Sequence, residues 1–182
     1  MNATRLAILG ILIPAILGGA FMYYNLVYAG YAELTPEEVG EIQLVNVVTG
    51  EGEPILSENV KAIDTVVDGV RLSKAVSFRA CFETSSSQAM LSETFVVIDF
   101  AEPLNAPRWF DCFDAQEIGV ALEDGTAIAF MSEENLSFGI DRVVAIFPDG
   151  RGYAWQQLND CGLAVFAGDA TPDGCPEPPE EF

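Results

Sequence analysis

Residues 6–24 form an apolar run of 19 positions without a charge, and nothing later in the chain resembles it. As an α-helix such a run spans about 28 Å, close to the hydrocarbon core of a bilayer. Gly10, Pro14, Gly18 and Gly19 suit a helix in water poorly but are common in membrane helices. Tyr23, Tyr24, Tyr28 and Tyr31 follow at the far end, where aromatic rings favour the membrane interface. Arg5 precedes the run and no Lys or Arg follows until Lys61, so the positive-inside rule predicts a cytoplasmic N-terminus and export of everything after the span. A cleaved signal peptide is the rival reading, with small residues at Gly18-Gly19-Ala20 and at Gly30-Tyr31-Ala32. The first cut falls inside the apolar run and the second lies far beyond it. Both fates export the remainder.

The pattern then shifts to short alternating segments. Residues 33–40 read as a linker that winds into one turn, with Thr35 as N-cap, Pro36 at the first helical position and Glu37 and Glu38 at the helix's positive end. Residues 41–48 alternate as a strand up to the turn signal Thr49-Gly50-Glu51-Gly52. Residues 59–74 are ambiguous. Residues 76–82 predict a strand with Val76, Phe78, Ala80 and Phe82 on one face and Ser77, Arg79, Cys81 and Glu83 on the other. Ser85-Ser86-Ser87 reads as a loop, residues 94–100 as a β-branched and aromatic strand, and residues 101–107 as irregular because of Pro103 and Pro107.

Asp114 opens the best helix of this part, with Glu117 at the capping-box position and Gly125 beyond its end. Residues 126–131 predict a strand, and Glu133, Glu134 and Asn135 a solvated turn. Residues 140–147 and 151–158 predict a hairpin about Pro148-Asp149-Gly150, with Tyr153 and Trp155 sharing a face. Past Cys161 the chain reads as loop. The fold class expected is α+β: an antiparallel sheet of five to six strands with one main helix, preceded by a single transmembrane helix. Three parts follow: residues 1–32 as anchor and flank, 33–175 as the exported domain, and 176–182 as a mobile Pro/Glu-rich tail.

Charge narrows the function. All 28 acidic residues and 7 of the 8 basic ones lie in residues 33–182, a formal charge of −21 against −20 for the whole chain. Half the chain is hydrophobic, so this is a packed domain rather than an acidic disordered segment. Nucleic acid is not expected as a partner, because a polyanion needs a basic patch. The chain has no histidine, which removes Ser-His-Asp and Cys-His catalysis, histidine phosphotransfer and imidazole metal sites. No cofactor is expected.

Cys81, Cys112, Cys161 and Cys175 make an even count in the exported part, which suggests two disulfides with three possible connectivities. Loop entropy and proximity favour Cys161–Cys175, leaving Cys81–Cys112. No CxxC occurs, so a redox or zinc site is the weaker reading, and no metal is expected.

Four residues form the candidate ligand or cation site: Asp111, Asp114, Glu117 and Arg142. The three carboxylates fall within seven positions, two of them on one helical turn, a spacing compatible with acid/base work or cation binding but also with capping alone. Arg142 lies in an apolar strand, placed either to bind an anion or to pair with an internal carboxylate. Ser85, Ser86, Ser87 and Ser92 lack a GxSxG elbow, and no S-x-x-K spacing supports a dyad with Lys61 or Lys74. Trp109 and Trp155 suit core or interface packing better than ligand stacking. No catalytic residue is assigned.

The segments "WFDCFDAQEIGVAL", "GIDRVVAIFPDGRGYAW" and "RACFETSSSQAMLSETF", with the closing "CG" and "GCP", resemble a family of uncharacterised, N-terminally anchored alphaproteobacterial envelope proteins. The resemblance covers most of the exported domain. It implies an envelope location and a shared cysteine framework, and it supplies no activity, cofactor or catalytic residue. Some members carry the label histidine kinase; this chain has neither a histidine to phosphorylate nor ATP-binding glycine boxes, and is too short for both kinase domains.

The function expected is that of a non-catalytic, single-span inner-membrane protein. Its periplasmic acidic domain would contact an inner-membrane complex, as accessory or assembly factor, or a basic periplasmic protein. The alternative is a periplasmic small-molecule or cation-binding module, or a carboxylate enzyme, built on Asp111, Asp114, Glu117 and Arg142.

Overall fold

A computed structural model of the protein describes residues 3–25, 28, 30–67, 70–71 and 76–178. Helix α1 (Ala3–Tyr24) is 22 residues long, about 33 Å, and its side chains are exposed on every face from Ile8 to Tyr24. Among the described residues no helix is long and apolar enough to cross a membrane.

The rest is α+β. Six antiparallel strands lie in the order β1 (Tyr31–Leu34), β4 (Glu58–Val67), β6 (Arg79–Glu83), β9 (Arg151–Leu158), β8 (Ile140–Ile146), β7 (Ile128–Ser137). Strand β5 (Val70–Arg71) folds back on β4, and β2 (Gln43–Val45) pairs with β3 (Gly52–Pro54) in a small second sheet. Strand β1 begins inside the segment expected to flank the anchor, because Tyr31 and Leu34 are partly buried and pair with Thr65 and Ala62 of β4. The single turn α2 (Pro36–Val39) forms where Thr35 predicts it: the Thr35 N–H and hydroxyl both donate to the Glu38 carboxylate, at 2.7 and 2.8 Å.

Both faces of the sheet are covered. Period-two alternation sends Ala62, Ala80, Phe82, Val144, Ile146 and Ala154 to one side, where Phe78, Leu44, Leu91 and Phe130 complete a core. Ile63, Cys81, Val143, Ala145, Tyr153 and Trp155 go to the other, against Phe110, Phe113 and helix α4 (Ala115–Glu123). Strand β8 is therefore buried along nearly its whole length. Residues 4 to 7 of that strand read as a continuous apolar run for this reason. Strand β6 (Arg79–Glu83) starts later than expected, because Val76 and Ser77 form a turn; from Arg79 its faces are as the alternation predicts, and the β8–β9 hairpin closes in the register Ala145↔Tyr153.

Three expectations need correction. Glu133, Glu134 and Asn135 continue strand β7 instead of forming a turn; Glu133 pairs with Arg142 across the ladder, and the register irregularities on either side absorb the polar residues. Residues 94–100 form no named strand: helix α3 (Gln88–Thr94), capped by the Ser87 hydroxyl on Met90 N–H, takes the first position, and only bridges at Phe95 and Val97 pair. Past Cys161 the chain is helical, not loop: α5 (Asp160–Ala167) starts at Asn159, whose side chain accepts from Gly162 N–H, and stops at Gly168 in the left-handed region. Of the ambiguous segment, residues 68–69 and 72–74, with Lys74, lie outside the described residues, as do residue 75 and residues 179–182 of the tail.

The cysteines join as Cys81–Cys112 and Cys161–Cys175. Two disulfides point to an oxidising, extracytoplasmic environment. The first ties β6 to the chain entering α4; the second holds the C-terminal segment to α5.

Candidate functional site

Asp114 and Glu117 sit together where the sequence places them, at the N-terminus of α4. One oxygen of Asp114 accepts from Gln116 N–H at 2.9 Å and from Glu117 N–H at 3.1 Å, which satisfies two of the helix's otherwise open donors. A cavity of about 580 Å³ opens between this helix end and the β8–β9 turn, lined by both carboxylates with Asp149 and Arg151.

The cation that meets Glu117 is Arg151. Its Nη1 lies 2.8 Å from Glu117 Oε1 and 3.1 Å from the Tyr153 hydroxyl, and its Nε lies 2.8 Å from Asp149 Oδ2. The guanidinium also covers the Phe147 ring at 4.7 Å. Hydrogen bonds that Arg151 donates to Glu117, then to Asp149, hold its proton more tightly than in free arginine. The Asp149 carboxyl is pushed below its ordinary value by the Arg151 N–H and then by the Arg151 side chain. Burial pushes the Tyr153 hydroxyl up, against the pull of Arg151. The pairs are largely solvent-exposed, and such pairs contribute about 0.2–1 kcal/mol each. The arrangement is a clasp between α4 and the hairpin, with its carboxylates already occupied by chain donors.

Arg142 does not join this group. It shares the sheet face of Val144 and Ile146, whereas α4 packs on the face of Val143 and Ala145. Its guanidinium lies 4.7 Å from the Phe78 ring centre, and its Nη1 lies 3.6 Å from Glu133. Asp111 is exposed beside Cys112 and does not line the cavity. Trp155 is fully buried, and Trp109 is half-buried with its ring edge-on to Phe110. Ser87 caps α3, and Ser92 donates to the Ala89 carbonyl. Among the described residues no group of three or more His, Cys, Asp or Glu is placed to hold a metal ion.

Two polar residues that the pattern does not single out organise the domain's far end. Arg79 is 3 % exposed and donates to three carbonyls: Leu104 from Nε at 2.8 Å, and Val76 and Phe78 from Nη1 at 2.9 and 2.7 Å. Burial lowers its affinity for a proton, to a pKa of about 10, against the opposing fields of Tyr31 and Asp64. Gln157, on β9, clamps the 100–102 segment: its Oε1 accepts from Glu102 N–H at 2.9 Å and its Nε2 donates to Phe100 O at 3.0 Å. A charged residue at an alternating strand position was the available signal for Arg79. For Gln157 there was none.

Comparison with curated proteins and with solved structures returns no match. A family profile does match, over residues 42–176, which takes in β2 through α5 and all four cysteines. On that coverage the chain belongs to DUF6446, a family of unknown function.

Proposed function

We propose that the protein is a non-catalytic, single-span inner-membrane protein. Its N-terminus is cytoplasmic, and its periplasmic domain works by contact with another protein, as accessory or assembly factor of an inner-membrane complex. The observation that carries this reading is α1. From Ile8 to Tyr24 it is apolar and exposed on every face, a surface that water does not tolerate and lipid does. Arg5 before the helix and the absence of Lys or Arg from there to Lys61 set the orientation. Tyr31 and Ala32 pair within β1, so a cut after Ala32 would remove half of that strand, which favours an uncleaved anchor. The disulfides agree with export, and the formal charge of −21 over residues 33–182 favours a basic partner.

The test is purification of the C-terminally tagged full chain from its native membrane in mild detergent, at low and moderate salt, with mass spectrometry of what accompanies it. Stoichiometric recovery with one membrane complex is the expected result. Recovery of the chain alone at both salts overturns the reading.

A ligand-binding module is the second reading, favoured by the cavity of about 580 Å³ beside Asp114, Glu117 and Arg151. It requires an anion or cation to displace the pairing of Arg151. A site filled at 100 times its dissociation constant adds about 2.7 kcal/mol of stability, so a panel of divalent cations and small anions should raise the melting temperature. No response across the panel removes it.

A further inference from the structure

A second groove, of about 850 Å³, lies at the far end of the domain between the 98–104 segment, the end of β9 and the start of α5. Met131, Leu158 and Leu163 give it an apolar lining, and among the described residues no Lys or Arg lines it. At its edge stands Phe100, 90 % exposed. An exposed aromatic on a loose loop would mean little. Here the backbone is fixed: Gln157 bonds Phe100 O and Glu102 N–H, as a neighbouring strand would, and Arg79 holds Leu104 O from below. The structure thus spends two buried or half-buried polar side chains on presenting a ring that touches little of its own chain. Beside that ring, Asp99, Glu102 and Asp160 are exposed carboxylates on the same groove.

We infer that this groove is the docking site for a partner-protein segment that is basic and has an apolar face. The inference rests on the contact function proposed above and names its surface. An apolar floor with an anchored aromatic supplies affinity, and the acidic rim selects the sign of the charge that arrives. The same rim disfavours an anionic membrane surface as occupant. Phe100 lies on the opposite side of the partner question from the Arg151 clasp: it contacts, whereas the clasp holds α4 in place.

The experiment places a photo-crosslinking phenylalanine analogue at position 100 of the full chain in its native membrane, with the same analogue at Val48, exposed in the turn after β2, as comparison. The expected result is an adduct from position 100 and not from position 48, mapped by fragmentation to an apolar segment flanked by Lys or Arg. Neutralising the rim (Asp99→Asn, Glu102→Gln and Asp160→Asn together) should lower its yield at least about ten-fold, the scale of one interface hot spot. An adduct to lipid, an adduct to a segment without basic residues, or a yield unchanged by neutralisation overturns the inference. Co-purification of the Phe100→Ser chain separates the two claims, since a change at so exposed a position leaves folding intact. If the wild-type chain brings a partner and Phe100→Ser brings it equally, this groove is not the site and the contact function stands. If the wild-type chain brings none, both fall.

Discussion

Gly139, in the turn between β7 and β8, and Gly162, in the first turn of α5, touch backbone to backbone. A Cβ on either residue would overlap the main chain of the other, and Gly139 also needs φ of +71°, where only glycine is unstrained. Asn159 ties the same junction together: its N–H donates to Gly139 O at 3.0 Å, its side-chain oxygen accepts from Gly162 N–H at 3.1 Å, and its Nδ2 donates to the buried Asp141 at 2.8 Å. Gly162→Ala should therefore destabilise the full chain by about 1–3 kcal/mol, as overpacking against backbone does, despite alanine's better helix propensity. Urea denaturation checks it. An unchanged or raised midpoint would show that α5 is free to shift off the turn.

The two disulfides should differ in what their removal does. Cys161–Cys175 has a sequence separation of 14 and links partly buried residues near the chain's end. Cys81–Cys112 has a separation of 31, and Cys81 is in the core against Phe113 and Tyr153. Loop entropy alone gives about 3 kcal/mol for the shorter closure and somewhat more for the longer. Losing core packing at Cys81 adds to the second. The paired change Cys81→Ser with Cys112→Ser should lower stability more than Cys161→Ser with Cys175→Ser, measured as urea midpoints of the full chain under oxidising conditions.

Which of these features the sequence discloses follows from the range of the interaction involved. Period-two alternation in β6, β8 and β9 is local, so faces and hairpin register read directly, and the Asp114 cap is settled within three residues. The cysteine pairing is the one that separation favours among three connectivities. Helix α5 was missed because its short apolar run carries Gly162 in the first turn and stops at Gly168, and its reason for being helical is a contact with a turn 23 residues earlier. Grouping Arg142 with Glu117 failed for a related reason: one residue of register decides the face, and strand partners alone fix where that face lies. The Gln157 clamp on Phe100 joins positions 57 apart and left no trace in the local pattern.

Acid should weaken the protein through groups at its turns. Asp149 is held below its ordinary value by the Arg151 N–H and side chain, and Asp124 by the Thr126 hydroxyl and N–H. A carboxyl depressed in the folded state contributes stability that is complete above its unfolded value, about 3.9, and is lost as the pH falls through the folded one. At about 0.5 M salt the Debye length falls to roughly 4 Å, which screens the field of a chain this acidic and leaves these short-range bonds in view. The urea midpoint should then decline as pH drops below about 4, and Asp149→Asn should shallow that decline. A decline of unchanged slope would remove Asp149 from the account.

Arg79 provides the sharpest test of how the groove is held. Its guanidinium reaches three carbonyls from two separate chain segments because a planar fork donates in fixed, separate directions. Lysine at this position keeps the charge but brings one compact ammonium, which cannot cover Leu104, Val76 and Phe78 together. At least one buried carbonyl is then left without its donor, and Arg79→Lys should cost about 2–4 kcal/mol. Arg142→Lys, at a half-buried position 3.6 Å from the Glu133 carboxylate and over the Phe78 ring, should cost less. Stability alone would not separate the loss of a core contact from loosening of the 101–107 segment. Amide hydrogen exchange does: if Arg79 anchors that segment, protection should fall first at the Glu102 N–H bonded to Gln157, before the central strands β8 and β9 respond. Uniform loss across the sheet would mean that Arg79 supports the core and leaves the presentation of Phe100 to Gln157.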